Sequence, residues 1–219
     1  MEVRDDEAST PYHFVFSAVR EVAADGTVTA EGPPFEGRWI DAAVSSGVVS
    51  ETDDGLVVWD PTAHDVVARL DASGPTAATF GNTLVWCENH CPALHFTQVP
   101  TAEDRVIQPP EGFSFFDGWS GKFTPDGSSF AVPVSEEANF GPHGQHAVAL
   151  IDVGSGDVTQ VVPGSATNAG CCQLAWDPTG SRLYVAAYDE DHWTLGYWDG
   201  GASREVPVEI PHDFAMVAA

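Results

Sequence analysis

The densest chemistry in the chain is Cys87-Glu-Asn-His-Cys91, followed by His95. Two thiols at the end of a hairpin can close a disulfide, which would fit an oxidising compartment. The same side chains are zinc ligands by type, and zinc sites commonly separate their cysteines by two to four residues. Zinc normally draws its second ligand pair from another segment, however, and His95 belongs to the strand that follows. Unlinked thiols are the third reading, and the spacing leaves all three open. Cys171-Cys172 is a vicinal pair. Adjacent residues of a strand point to opposite faces, so a bridge there needs a distorted turn and two free thiols are expected. His143-Gly-Gln-His146 adds a second histidine pair, for which solvated loop histidines are the default reading.

Short strands must position these groups. Lys122-Phe-Thr-Pro-Asp-Gly-Ser-Ser-Phe-Ala-Val-Pro-Val134 is echoed by Leu174-Ala-Trp-Asp-Pro-Thr-Gly-Ser-Arg-Leu-Tyr-Val-Ala186. Each reads as strand, tight turn, strand. Pro125 and Pro178 preset φ early in the turn, and Gly127 and Gly180 supply the positive φ that reverses the chain. Third and fourth strands follow, at Ala147–Val153 with Val158–Val162 and at Thr194–Trp198 with Ser203–Val208. Leu56–Leu70 repeats that second half, and Leu94–Val99 with Arg105–Gln108 repeats it more loosely. First halves are supplied by Trp39–Val44 with Val48–Glu51 and by Thr76–Phe80 with Thr83–Cys87. Alternation and β-branched or aromatic enrichment mark strands, and no helix-length stretch carries a 3.6-residue apolar period.

The chain therefore reads as all-β, with a four-stranded unit recurring about every 40–50 residues. Such units in series are propeller blades, here at roughly 38–71, 75–109, 113–163 and 167–209. Residues 1–10 are a polar lead-in, and 11–36 with 212–219 would make a composite blade. Pairing N- and C-terminal strands there would close a β-propeller of about five blades and hide its sheet edges. A fragment of a larger propeller is the alternative. The Phe-Thr-Pro-Asp-Gly and Trp-Asp-Pro-Thr-Gly turns, with Ile151-Asp-Val-Gly-Ser-Gly156, resemble the WD40-like and TolB-type β-propeller repeats of bacterial proteins. That resemblance covers about residues 38–210. It implies architecture and leaves activity open, because propellers serve as enzymes, ligand binders and docking platforms alike. A regular Gly-His dipeptide is missing, and only Trp59-Asp60, with Trp198-Asp199 as a looser case, falls where a Trp-Asp would end a third strand.

A propeller brings the loops between second and third strands to one face, together with the connections between blades. That face would collect Glu51, Asp53 and Asp54 from one blade and Glu88, Asn89 and His90 from the next. It would add Glu136, Glu137, His143 and His146 from the third, and Asp189, Glu190, Asp191 and His192 from the fourth. Loops carry function when a rigid scaffold positions them. Carboxylates alternating with imidazoles suit a divalent cation or a basic peptide, and histidine would make the rim respond to pH. The opposite face would receive compact Pro-Asp-Gly and Gly-Ser-Gly turns.

Charge narrows the partners. Thirty-three acidic residues against eight basic ones give a net charge of −25, with Lys122 the only lysine. Such a field repels nucleic acid and anionic lipid surfaces. It describes a solubilising surface suited to high salt, or one that attracts cations or a basic partner. No stretch is long enough to span a membrane, and the N-terminus lacks a basic-then-apolar signal. Read literally the chain is intracellular. It would be extracytoplasmic if trimmed from an exported or anchored precursor. No cofactor is implied beyond a divalent cation.

Catalysis would need carboxylates near a central channel, and Asp41, Asp117 and Asp177 are the candidates for a carbohydrate-active or other hydrolase. Asp177 is better explained as a turn residue. No nucleophile elbow, zinc-protease helix, P-loop or dinucleotide fingerprint is present. Trp39, Trp59, Trp86, Trp176 and Trp198 fall on strands and should fill the spaces between blades. Phe113, Phe115, Phe116 and Trp119 should staple the connection Pro109–Gly121. The reading favours a non-enzymatic interaction or ligand-binding module, with the hydrolase as alternative.

Overall fold

Alternating apolar residues bounded by Gly, Pro and Asp turns fold here as antiparallel strands. The computed structural model describes residues 3–5, 14–16, 20–22, 24–31, 35–37, 39–52, 55–60, 63, 65–70, 74, 76–88, 90–115, 121–136, 145–167, 170–189 and 192–210. Every helix or strand among the described residues is a β-strand.

The N-terminal part holds β1 (Val3–Asp5), β2 (Phe14–Phe16), β3 (Arg20–Val22), β4 (Val28–Glu31) and β5 (Phe35–Gly37). The segment expected as a polar lead-in thus contributes a strand, and β2 pairs antiparallel with both β1 and β5. The strand expected over Pro11–Val22 is divided. Its second part, β3, makes a hairpin with β4 across Ala24-Asp25-Gly26, where Asp25 Oδ1 accepts from the Thr27 N–H at 2.9 Å. The expected closing strand at 213–218 lies outside the described residues.

Four sheets follow in chain order. β6 (Trp39–Val44), β7 (Gly47–Thr52), β8 (Gly55–Asp60) and β9 (Asp65–Leu70) form the first. β10 (Thr76–Phe80), β11 (Thr83–Cys87), β12 (Leu94–Gln98) and β13 (Glu103–Ile107) form the second. In the third, β14 (Phe113–Phe115) and β15 (Lys122–Phe123) both pair with β16 (Ser129–Glu136), which leads to β17 (Gln145–Asp152) and β18 (Val158–Thr167). β19 (Gly170–Trp176), β20 (Leu183–Asp189), β21 (His192–Trp198) and β22 (Ser203–Ile210) form the fourth. Each sheet runs from first strand to last, the order expected of a blade. Bulges recur as well. The first pair slips register at Ile40/Ala42, Thr76/Ala78 and Gly170/Gln173 in three of the sheets, and each bulge increases local twist.

Phe113 and Phe115 correct the picture of a stapled connection. They belong to β14, an outlying piece of the third sheet's first strand, and Phe115 is fully buried. Phe116 and Trp119 lie outside the described residues.

The chain forms two compact units, Met1–Trp86 with Phe96–Asp104 and Cys87–His95 with Arg105–Ala219. The first is built on Val44, Val49, Leu56, Val58, Leu70, Leu84, Trp86 and Val99. There the Trp86 indole N–H donates to Thr97 Oγ1 at 2.9 Å, and that hydroxyl donates to Asp104 Oδ1 at 2.7 Å. The second is built on Ala131, Val148, Leu150, Val162, Leu174, Trp176, Leu183 and Val185, with Trp198 packed against them. Trp176 donates its N–H to the Lys122 carbonyl at 3.1 Å, which ties β19 to β15. In the same unit Arg105 donates to the carbonyls of Val153 and Gly154 at 2.9 and 2.7 Å.

Candidate functional site

All four sheets end their second-to-third-strand hairpin on acidic or histidine residues. In the first, Glu51 is half-buried opposite Leu56, and the Thr52 hydroxyl closes the hairpin onto the Gly55 carbonyl at 2.8 Å. Asp53 and Asp54 lie outside the described residues. In the third, half-buried Glu136 ends β16, and Ser135 faces His146 across the strands in backbone register. Glu137 and His143 lie outside the described residues. In the fourth, Asp189 and His192 are a backbone-registered pair at the hairpin mouth, while Glu190 and Asp191 lie outside.

The second sheet carries the cysteine motif. Cys87 and Cys91 are joined in a disulfide, with Cα atoms 5.0 Å apart. The Cys91 N–H donates to the Glu88 carbonyl at 2.8 Å, and His90 and Cys91 adopt φ of 66° and 48°. That left-handed pair turns the chain tightly enough for the sulfurs to meet. Both cysteines are buried, whereas Glu88 and His90 are exposed. Zinc coordination by this motif is thereby overturned, because a bridged sulfur offers no thiolate. His95 is half-buried on β12. Among the described residues no three His, Cys, Asp or Glu side chains gather around a metal-sized space. Asn89 and the side chains of Cys171 and Cys172 are outside the description.

At the other end of the sheets, acids are committed to turns. Asp126 Oδ1 accepts from the Ser128 N–H at 3.0 Å, the Thr124 hydroxyl at 2.7 Å and the Ser128 hydroxyl at 2.8 Å. The Ser128 N–H and these hydroxyls hold the carboxyl down at a pKa of about 2. Asp152 and Asp199 are lowered by the backbone N–H groups of Ser155 and Ala202 respectively. Around Asp177 partial desolvation works the other way, but donors from Arg182, Thr179 and Ser181 outweigh it. Asp177 is therefore a turn residue. Of the other carboxylates expected near a channel, Asp41 lies on β6 and Asp117 is outside the described residues.

Between these turns lies a feature that reading the sequence missed. A groove with a volume of about 290 Å3 opens within the second unit, lined by Trp176, Trp198, Asp126, Ser129, Thr159 and Gln160 among others. Its contributors come from β16, β17, β18, β19 and β21 and from the β15–β16 and β19–β20 turns. The only sequence signal was two tryptophans lying beside Asp/Thr turns.

No family model matches the chain, and no curated protein does. Solved structures do. Hydrazine synthase from Kuenenia stuttgartiensis superposes with a TM-score of 0.63 at 14% identity, over 90% of this chain and 63% of that one. Hsv2p of Kluyveromyces lactis gives 0.60 at 11% identity, over 90% and 60%. The WD40 domain of Toxoplasma gondii coronin gives 0.53 at 13%, over 90% and 55%. The chain thus spans about 60% of the length of the first two. Likeness at this level of identity shows fold alone, and a named enzyme stands beside proteins not named as enzymes. The chain has an all-β, WD40-like β-propeller fold.

Proposed function

We propose that this chain is a non-enzymatic interaction module that takes a basic protein segment on its second-to-third-strand hairpin ends. One contrast supports the reading. Carboxylates and histidines recur by residue type at that end of all four sheets, whereas the other end carries compact turns in which Asp126 and Asp177 accept backbone N–H groups. With a net charge of −25, a cationic partner is drawn in over distance, and the local acids set where it docks. The repeat turns further fit a bacterial, TolB-type lineage within the fold.

The test compares two triple variants for binding of a fluorescent oligoarginine peptide by anisotropy, at about 50 mM salt where screening is weak. Glu51→Gln/Glu88→Gln/Glu136→Gln removes charge at the hairpin ends. Glu103→Gln/Asp157→Gln/Glu205→Gln removes the same charge from exposed sites elsewhere. The first should weaken binding by roughly tenfold or more and the second by less than about twofold. Equal losses would mean that bulk charge alone attracts the peptide. A cation ligand is the competing version: it predicts that millimolar calcium or zinc raises the Tm, and no shift would retire it.

A further inference from the structure

The groove in the second unit combines two kinds of wall. Half-buried Trp198 supplies the accessible indole surface, and buried Trp176, whose N–H is spent on the Lys122 carbonyl, backs the groove as an apolar wall. Asp126, Ser129, Thr159 and Gln160 supply polar atoms. Three hydrogen bonds all fall on Asp126 Oδ1, so Oδ2 accepts nothing among the described residues. The Gln160 amide and the Ser129 hydroxyl likewise make no side-chain hydrogen bond among the described residues. An ionised, acceptor-only carboxylate oxygen, an amide that both donates and accepts, and a hydroxyl thus stand beside aromatic surface.

We propose that this groove binds a single sugar residue, by stacking its C–H face on indole and pairing its hydroxyls with Asp126, Gln160 and Ser129. A pyranose ring offers both surfaces at once: axial C–H groups suit an aromatic wall, and adjacent hydroxyls suit a carboxylate and an amide. A quaternary ammonium ion would also fit two indoles and a carboxylate. It has no hydrogen-bonding group, however, and would leave the Gln160 and Ser129 groups without partners. The volume lies at the small end of ligand sites, which run from about 300 Å3 upward, and suits one ring with neighbouring rings of a chain lying outside. The groove sits at the turn end of the third and fourth sheets, so it is independent of the hairpin-end surface proposed above.

The test is saturation-transfer difference NMR on the full chain, with glucose, galactose, mannose and N-acetylglucosamine as probes and tetramethylammonium chloride beside them. Tryptophan fluorescence supplies the titration. At least one sugar should bind with a Kd of about 1–10 mM, typical for a dozen heavy atoms in a shallow site. Gln160→Ala, an exposed position with no structural bond, should weaken that binding by about fivefold or more while leaving the Tm unchanged. Trp198→Ala should abolish it, and the Glu51/Glu88/Glu136 triple variant should not alter it. No transfer to any sugar, transfer to tetramethylammonium alone, or full sugar affinity in Gln160→Ala would each overturn the proposal.

Discussion

Thr97 shows what a single hydroxyl contributes. It accepts from the buried Trp86 indole and donates to Asp104. Thr97→Val keeps the shape but takes this acceptor from the indole, so urea unfolding should report a loss of about 1–3 kcal/mol, against less than about 1 kcal/mol for Thr97→Ser. Equal midpoints for wild type and Thr97→Val would refute that assignment. Asp126 gives a pH signature. Its pKa falls from 3.8 to about 2 on folding, so its contribution is complete above the unfolded value and disappears as pH drops through the folded one. Asp25, Asp152, Asp177 and Asp199 shift in the same direction. The Tm should therefore fall between about pH 4 and pH 2, and Asp126→Asn should reduce the fall. At this scale the sequence was only partly legible. The spacing of Cys87 and Cys91 allowed bridge, zinc or free thiols, and the outcome turned on left-handed backbone at His90 and Cys91. Neither is a glycine, so no residue type announced it.

Among the elements, the two echoing turns are the same device with its parts exchanged. At Thr124-Pro-Asp126 the threonine hydroxyl donates forward to the aspartate at 2.7 Å, and at Asp177-Pro-Thr179 it donates back at 3.0 Å. Gly127 and Gly180 hold φ of 72° and 71° in both. Proline, glycine and an Asx- or ST-type residue at fixed offsets made these hairpins readable from sequence. The split first strand of the third sheet was not readable, because β14 and β15 are only three and two residues long with no alternation to detect. Gly121, just before β15, tests that split. A Cβ there would run into the ring of Phe130, which is fully buried and cannot swing aside. Gly121→Ala should cost about 1–3 kcal/mol in urea unfolding, and a neutral result would mean that the strand does not pack on Phe130 as described.

For the molecule as a whole, charge dominates. Thirty-three acids against eight bases make the folded state repel itself, and added salt screens that repulsion. The Tm should climb as sodium chloride rises from about 0.05 to 1 M, whereas a flat profile would show that the acids are already compensated locally. The four recurring sheets were legible from chain order. The groove was not, since its walls are separated by more than seventy residues and meet only when two sheets pack, as between Asp126 and Trp198. The proposal that the hairpin ends act as the binding surface is tested most directly by hydrogen–deuterium exchange of the chain with and without saturating oligoarginine peptide. Exchange should slow at Glu51–Leu56, Trp86–His95, Ser135–His146 and Tyr188–Trp193, with turns Asp152–Val158 and Asp199–Ser203 unchanged. Protection spread evenly over both ends of the sheets, or confined to the turns, would contradict it.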